Sequence, residues 1–145
     1  MYVERLLPAA REKLVTIAED APLTEAAKFL HEGTDLVVVC GSAGLVAGVI
    51  TKTDVVGQMG RCQGASCTMP ASLTMTRDVV ICRPDELLQE VWKRMKERKL
   101  KNIPVVGEDS RPMGVLEARD ILQVLLEESK DEEAMLRDYV MGIGY

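Results

Sequence analysis

Apolar positions along the 145-residue chain follow two periodicities in turn. Continuous apolar runs, Leu36-Val37-Val38-Val39-Cys40 and residues 45–50, have the length of strands, whereas Leu23, Ala26, Ala27 and Leu30 recur at the spacing of one helix face. The same succession returns in the second half of the chain. Residues 15–23 lie over residues 79–87 at a shift of 64, residues 36–40 over 102–106 at a shift of 66, and residues 48–55 over 114–121 at that same shift. Three matches in the same order make a repeat.

Each copy predicts strand, helix, strand, strand, helix. The first strand is a short β-branched run, residues 15–17 or 79–81. A helix start follows: Asp20-Ala21-Pro22 sets proline in a first turn, and Pro84-Asp85-Glu86 sets carboxylates there. Leu87, Val91 and Met95 carry the helix of the second copy. Two strands then flank a turn, Gly41-Ser42-Ala43-Gly44 or residues 107–112, and a second helix begins near Asp54 or Asp120. One copy of about 60 residues buries too little surface to be stable alone. The expected fold is therefore α+β: two β-α-β-β-α repeats packed sheet to sheet with pseudo-twofold symmetry. Residues 57–72, rich in glycine, serine, cysteine and threonine, read as a linker. Residues 1–13 and 131–140 read as amphipathic helices outside the repeat. Ala134, Leu136, Val140 and Met141 give the second of these an apolar face suited to the core or another subunit. The chain thus divides into 1–66 (N-terminal helix, first repeat and start of the linker), 67–130 (second repeat) and 131–145 (C-terminal helix and tail).

Composition narrows the function classes. With 47% hydrophobic residues and a mean hydropathy of +0.02 the chain can build a core, which excludes intrinsic disorder. No apolar run approaches the roughly 18 residues of a membrane span, and Met1-Tyr2-Val3-Glu4-Arg5 lacks a signal-peptide layout. A cytoplasmic protein without membrane contact is expected. A net charge of −5 and 3% aromatics argue against a nucleic-acid partner. The single histidine, His31, excludes a histidine-rich metal centre and has no identifiable nucleophile partner, so no enzyme is expected. Four cysteines are too few for a disulfide scaffold.

The glycine-to-aspartate segment carries candidate chemistry. A strand ending at Ile50 feeds a helix whose unpaired N–H groups and dipole favour an anion such as phosphate. Thr51 can donate to a phosphate oxygen, Lys52 supplies charge at the rim, and Gly48 permits close backbone approach. Asp54 can accept from both hydroxyls of a ribose, and Ile17, Val37 and Val38 can wall an adenine. Thr51-Lys52-Thr53-Asp54 is equally a capping box, and the two roles are compatible. In the second copy Glu117 stands where Thr51 stands, while Asp120 matches Asp54. A carboxylate there repels phosphate, so the second site is empty, takes a less charged ligand, or uses Arg119 in compensation.

The repeated pattern of glycine, two apolar residues, threonine, two variable residues and aspartate resembles tandem cystathionine-β-synthase (CBS) domains, together a Bateman module, over residues 10–128. Thr74-Met75-Thr76-Arg77-Asp78-Val79 and Ile103-Pro104-Val105-Val106 are similar to further signatures of that family. The resemblance implies a non-catalytic homodimeric regulator. Its expected ligand is an adenine nucleotide (AMP, ADP or ATP, or else NAD or S-adenosylmethionine) held between the repeats, with no required cofactor or metal and with output through a separate effector protein. It also implies a second adenosine pocket at Thr76, Arg77, Asp78, Ile81, Ile103 and Pro104, with Asp120 and Arg119.

Rival readings remain open: a ligand-free dimerisation protein with decayed pockets, or a thiol sensor through Cys62 and Cys67 beside Arg61. The basic run from Lys93 to Lys101, six cations against Glu97, reads as the solvated face of a helix, the alternative being a footprint for phosphates.

Overall fold

The computed structural model describes residues 1–61 and 68–140, with side chains as far as residue 137. The element order is α1 (Leu7–Glu12), β1 (Thr16–Ala18), α2 (Leu23–His31), β2 (Leu36–Cys40), β3 (Val46–Thr51), α3 (Lys52–Met59), α4 (Leu88–Arg98), β4 (Asn102–Val106), β5 (Pro112–Glu117) and α5 (Ala118–Val140). β2 runs parallel to β1 and antiparallel to β3, and β4 and β5 form a second, antiparallel sheet. A bulge falls between Val39 and Cys40 in one sheet and between Val105 and Val106 in the other, 66 residues on. The duplication therefore extends to backbone irregularities.

The strand expected at residues 79–81 does not form. Cys82 instead makes one parallel bridge with Val105, its N–H donating to the Pro104 carbonyl at 3.0 Å and its carbonyl accepting from Val106 at 2.9 Å. In the first copy the ladder continues on both sides: the Val38 N–H donates to Val15 and the Glu19 N–H to Cys40. The matching donors in the second copy would be Pro104 and Pro84, which have no N–H. Two prolines thus trim a strand to a bridge. The register also makes Cys82, not Ile81, the counterpart of Ile17, a shift of 65.

Two further expectations change. Glu86 lies in a turn before α4 and accepts the Arg83 N–H at 2.8 Å, so the helix begins at Leu88. Residues 131–140 are not a separate helix, because no glycine or proline interrupts residues 118–140 and α5 runs through. Cys62, Cys67 and Met141 lie outside the described residues.

The segment ahead of each repeat packs on the other repeat. Val3, Leu7 and Ala10 share a core with Leu88, Val91, Met95, Ile103 and Ile121, and Val3 and Glu4 donate to the Glu86 and Pro84 carbonyls. Ala71 and Met75 in turn join Ile17, Leu23, Val37 and Ile50, with the Leu23 N–H donating to Met69 and the Ala71 N–H to Ala21. Leu36, Val38, Val49 and Val115 form a third cluster where the sheets meet. Among the described residues no helix is long and apolar enough to cross a membrane.

Candidate functional site

The sheet ends and the following helices build the site. Thr51 is the N-cap of α3 with extended backbone, φ −118°, which swings β3 into the helix. Asp54 closes the capping box: its Oδ2 accepts the Thr51 N–H at 2.9 Å and the Thr51 hydroxyl at 3.2 Å. Its Oδ1 accepts the Thr76 hydroxyl at 3.1 Å. Thr76 is brought there by a two-bond bridge to Val49, in which Val49 N–H donates at 3.0 Å and Thr76 N–H at 2.8 Å. Gly48 permits this approach, since a Cβ on it would lie 2.7 Å from the Thr76 carbonyl oxygen.

These groups face a cleft of about 890 Å3. Protein ligand pockets commonly span about 300–1,000 Å3. The N-termini of α3 and α5 both open onto it through Lys52, Thr53, Ala118 and Arg119, so two helix dipoles present their positive ends to one space. Leu36, Val49, Val79 and Pro104 give an apolar wall. Lys52, Lys99, Lys101 and Arg119 supply positive charge, against Asp35, Asp54, Asp78 and Glu117. Two of those acids are already engaged. Asp54 is tied into the cap, and Glu117 pairs with Arg119 at 3.4 Å and with Lys13 at 3.3 Å. Lys52, Lys99 and Lys101 have no ion pair among the described residues, so the cleft offers uncommitted cations.

Residues assigned by sequence to two sites are gathered differently here. Thr51, Lys52 and Asp54 line the cleft, but so do Thr76, Asp78, Pro104 and Arg119, which had been grouped with Asp120. Asp120 does not line it; its carboxylate holds the Lys13 ammonium. Ile17, Val37, Val38 and Ile103 are buried in the cores and do not line the cleft. Arg77 points away and donates to the Ser72 carbonyl at 3.0 Å. The Ile81 carbonyl accepts from Arg94 at 2.8 Å. Lys99, Lys101, Asp35 and Asn102 line the cleft and were not singled out as a site. Their signal lay in the end of the basic run, where Lys99 occupies the left-handed C-cap of α4, φ 55°, and turns the chain inward.

The family model for the CBS domain matches residues 3–61 and again residues 71–127. The chain belongs to the CBS domain family. This CBS pair is 28% identical, with a TM-score of 0.72, to a CBS-domain protein of Agrobacterium tumefaciens, covering 86% of this chain and 98% of that one. It has the same TM-score, at 20% identity, with the CBS domain pair of protein MJ0100, solved with 5′-methylthioadenosine and S-adenosyl-L-methionine; coverage is 88% and 98%. A homoserine O-acetyltransferase of Methanococcoides burtonii is 33% identical over 116 residues, which are 79% of this CBS pair and 22% of that protein. The chain therefore spans about a fifth of that relative's length.

Proposed function

We propose that this CBS pair is a non-catalytic cytoplasmic regulatory module that binds an adenine nucleotide between its repeats and signals occupancy to a separate effector protein. The observation that carries this reading is the convergence, in one cleft, of two helix N-termini, a carboxylate at a strand-to-helix turn, and three unpaired lysines. Asp54 grips the ribose hydroxyls. Thr51 and Lys52 take the first phosphate, Lys99 and Lys101 any further one, and Leu36, Val49, Val79 and Pro104 sandwich the base. The adenosine ligands of the MJ0100 pair support the ligand class, and the unpaired lysines favour a phosphorylated member of it. The homoserine O-acetyltransferase match spans 22% of that enzyme, and the reading places the named chemistry in the rest of it.

A homodimer is part of the proposal. Val56 and Met59 of α3, 65% and 68% exposed, and Leu122 and Leu126 of α5 give apolar surface without cover in one chain. Ligand acts by binding one arrangement of the helices more tightly than another. Calorimetric titration with AMP, ADP, ATP, NAD and S-adenosylmethionine tests the reading, with native mass spectrometry of co-purifying small molecules. Binding of at least one phosphorylated ligand is expected, together with a raised melting temperature. No heat and no shift with any of them would leave a ligand-free scaffold as the better account.

A further inference from the structure

A second, smaller pocket of about 230 Å3 is the pseudo-twofold counterpart of the cleft. Much of its lining corresponds to that of the cleft: Val115 stands for Val49, Glu117 for Thr51, Lys13 for Asp78, Val15 for Val80, and residues 33–35 for residues 99–101. The shifts of 65 and 66 are those fixed by the sheet registers. The chemistry, however, is reversed. Gly33 and Asp35 replace Lys99 and Lys101, and Glu117 replaces Thr51. The only cation lining this pocket among the described residues is Lys13, against Glu12, Glu32, Asp35 and Glu117. Its ammonium is hydrogen-bonded to Asp120 and lies 3.3 Å from Glu117.

We infer that Lys13 is the internal occupant of the second half-site and makes the module single-sited; the inference rests on the nucleotide reading of the larger cleft. Asp120 is the counterpart of the ribose-gripping Asp54, and the lysine occupies the carboxylate that a ligand would need. Burial lowers the Lys13 pKa, but the hydrogen bond and charge of Asp120, with those of Glu117, more than offset this and leave it raised, so the amine stays charged. The remaining volume is below the usual range for a small-molecule pocket, and the surplus of carboxylates repels phosphate. One ligand per chain follows, bound asymmetrically in a symmetric frame.

Two measurements test this. Trace acetylation with acetic anhydride, read by peptide mass spectrometry, follows Lys13 without any nucleotide. Lys13 is expected to react several-fold more slowly than the exposed Lys52, and Asp120→Asn with Glu117→Gln should remove the difference. Equal rates in the wild-type protein would overturn the inference. Titrations with ATP, AMP and adenosine supply the second measurement. The wild-type chain should bind one equivalent of ATP or AMP, and Lys13→Met should keep that and gain a second equivalent for uncharged adenosine alone. Two equivalents of ATP or AMP per wild-type chain, or no gain in a folded Lys13→Met, would overturn the single-site inference while leaving the nucleotide reading intact. Absence of binding by both proteins would overturn the nucleotide reading, and the acetylation rates would still decide whether Lys13 is held.

Discussion

Asp54 carries two loads, the cap on Oδ2 and the proposed diol grip beside the Thr76 hydroxyl on Oδ1, and they separate by mutation. Asp54→Ala removes the cap acceptor and the diol grip together, with an expected loss of about 1 kcal/mol in stability. Asp54→Asn keeps an amide oxygen as acceptor for Thr51, but exchanges the charge and the oxygen that accepts the Thr76 hydroxyl for an NH2 donor. It should melt close to wild type while nucleotide affinity falls roughly ten- to hundredfold, the weight of charge-assisted hydrogen bonds. Parallel thermal melts and titrations distinguish the loads; unchanged nucleotide affinity in Asp54→Asn would show that capping is its whole role. Glu86 is the second informative residue. The Arg94 hydrogen bond at 2.6 Å holds its carboxyl below the usual value near 4.5, outweighing the effect of burial. A lowered folded pKa gives stability that is present above the unfolded value and is lost as pH falls through the folded one. Glu86→Gln should therefore cost about 0.5–1 kcal/mol at pH 7 after solvent screening. In urea melts the gap should narrow as the pH falls below the usual carboxylate value near 4.5 and on through the lowered folded one.

At the scale of elements, the end of α4 shows where sequence reading succeeded and where it stopped. The helices, the paired strands and the duplication were legible because apolar spacing records them directly. The missing strand at Cys82 was also written in the chain, as Pro84 and Pro104, but its loss follows only once the parallel register shows which two N–H groups the ladder needs. Likewise, Lys93 to Lys101 reads as a solvated face by period alone. Lys93 and Lys96 are indeed exposed, while Lys99 and Lys101 face the cleft because α4 ends at Arg98 and Lys99 itself turns the chain in the left-handed conformation. Glycine occupies the matching position in the first repeat, Gly33 at φ 114°. A lysine held there costs about 1 kcal/mol relative to glycine. Lys99→Gly should accordingly raise the melting temperature of the free protein and weaken ATP binding more than AMP binding. A variant that melts lower, or that binds both ligands as before, would remove Lys99 from the phosphate-binding set.

Over the whole molecule, the exchange of leading segments makes the two repeats one folding unit. Neither core is complete without residues from the other side of the chain, since α1 closes the second and residues 71–75 close the first. Gly114 is a point of close backbone approach in that exchange. A Cβ there would stand 2.7 Å from the Ala10 carbonyl carbon and 2.9 Å from its oxygen, and backbone does not move aside as a flexible side chain would. Gly114→Ala should cost about 1–3 kcal/mol, the usual range for overpacking. The substitution touches only α1 and β5, so its reach is the informative quantity. If the repeats folded independently, amide exchange would quicken in β4 and β5 and stay slow in β2. Because the third cluster joins Val38 and Val49 to Val115, loosening β5 also uncovers the first sheet. Exchange at Val37, Val38 and Val39 is therefore expected to accelerate by the same factor as at Ile103 and Val105, within one cooperative unit. The same continuity would carry a ligand's effect from the cleft to both helical faces, so unequal acceleration in the two sheets would argue against a single folding unit and against that route for the signal.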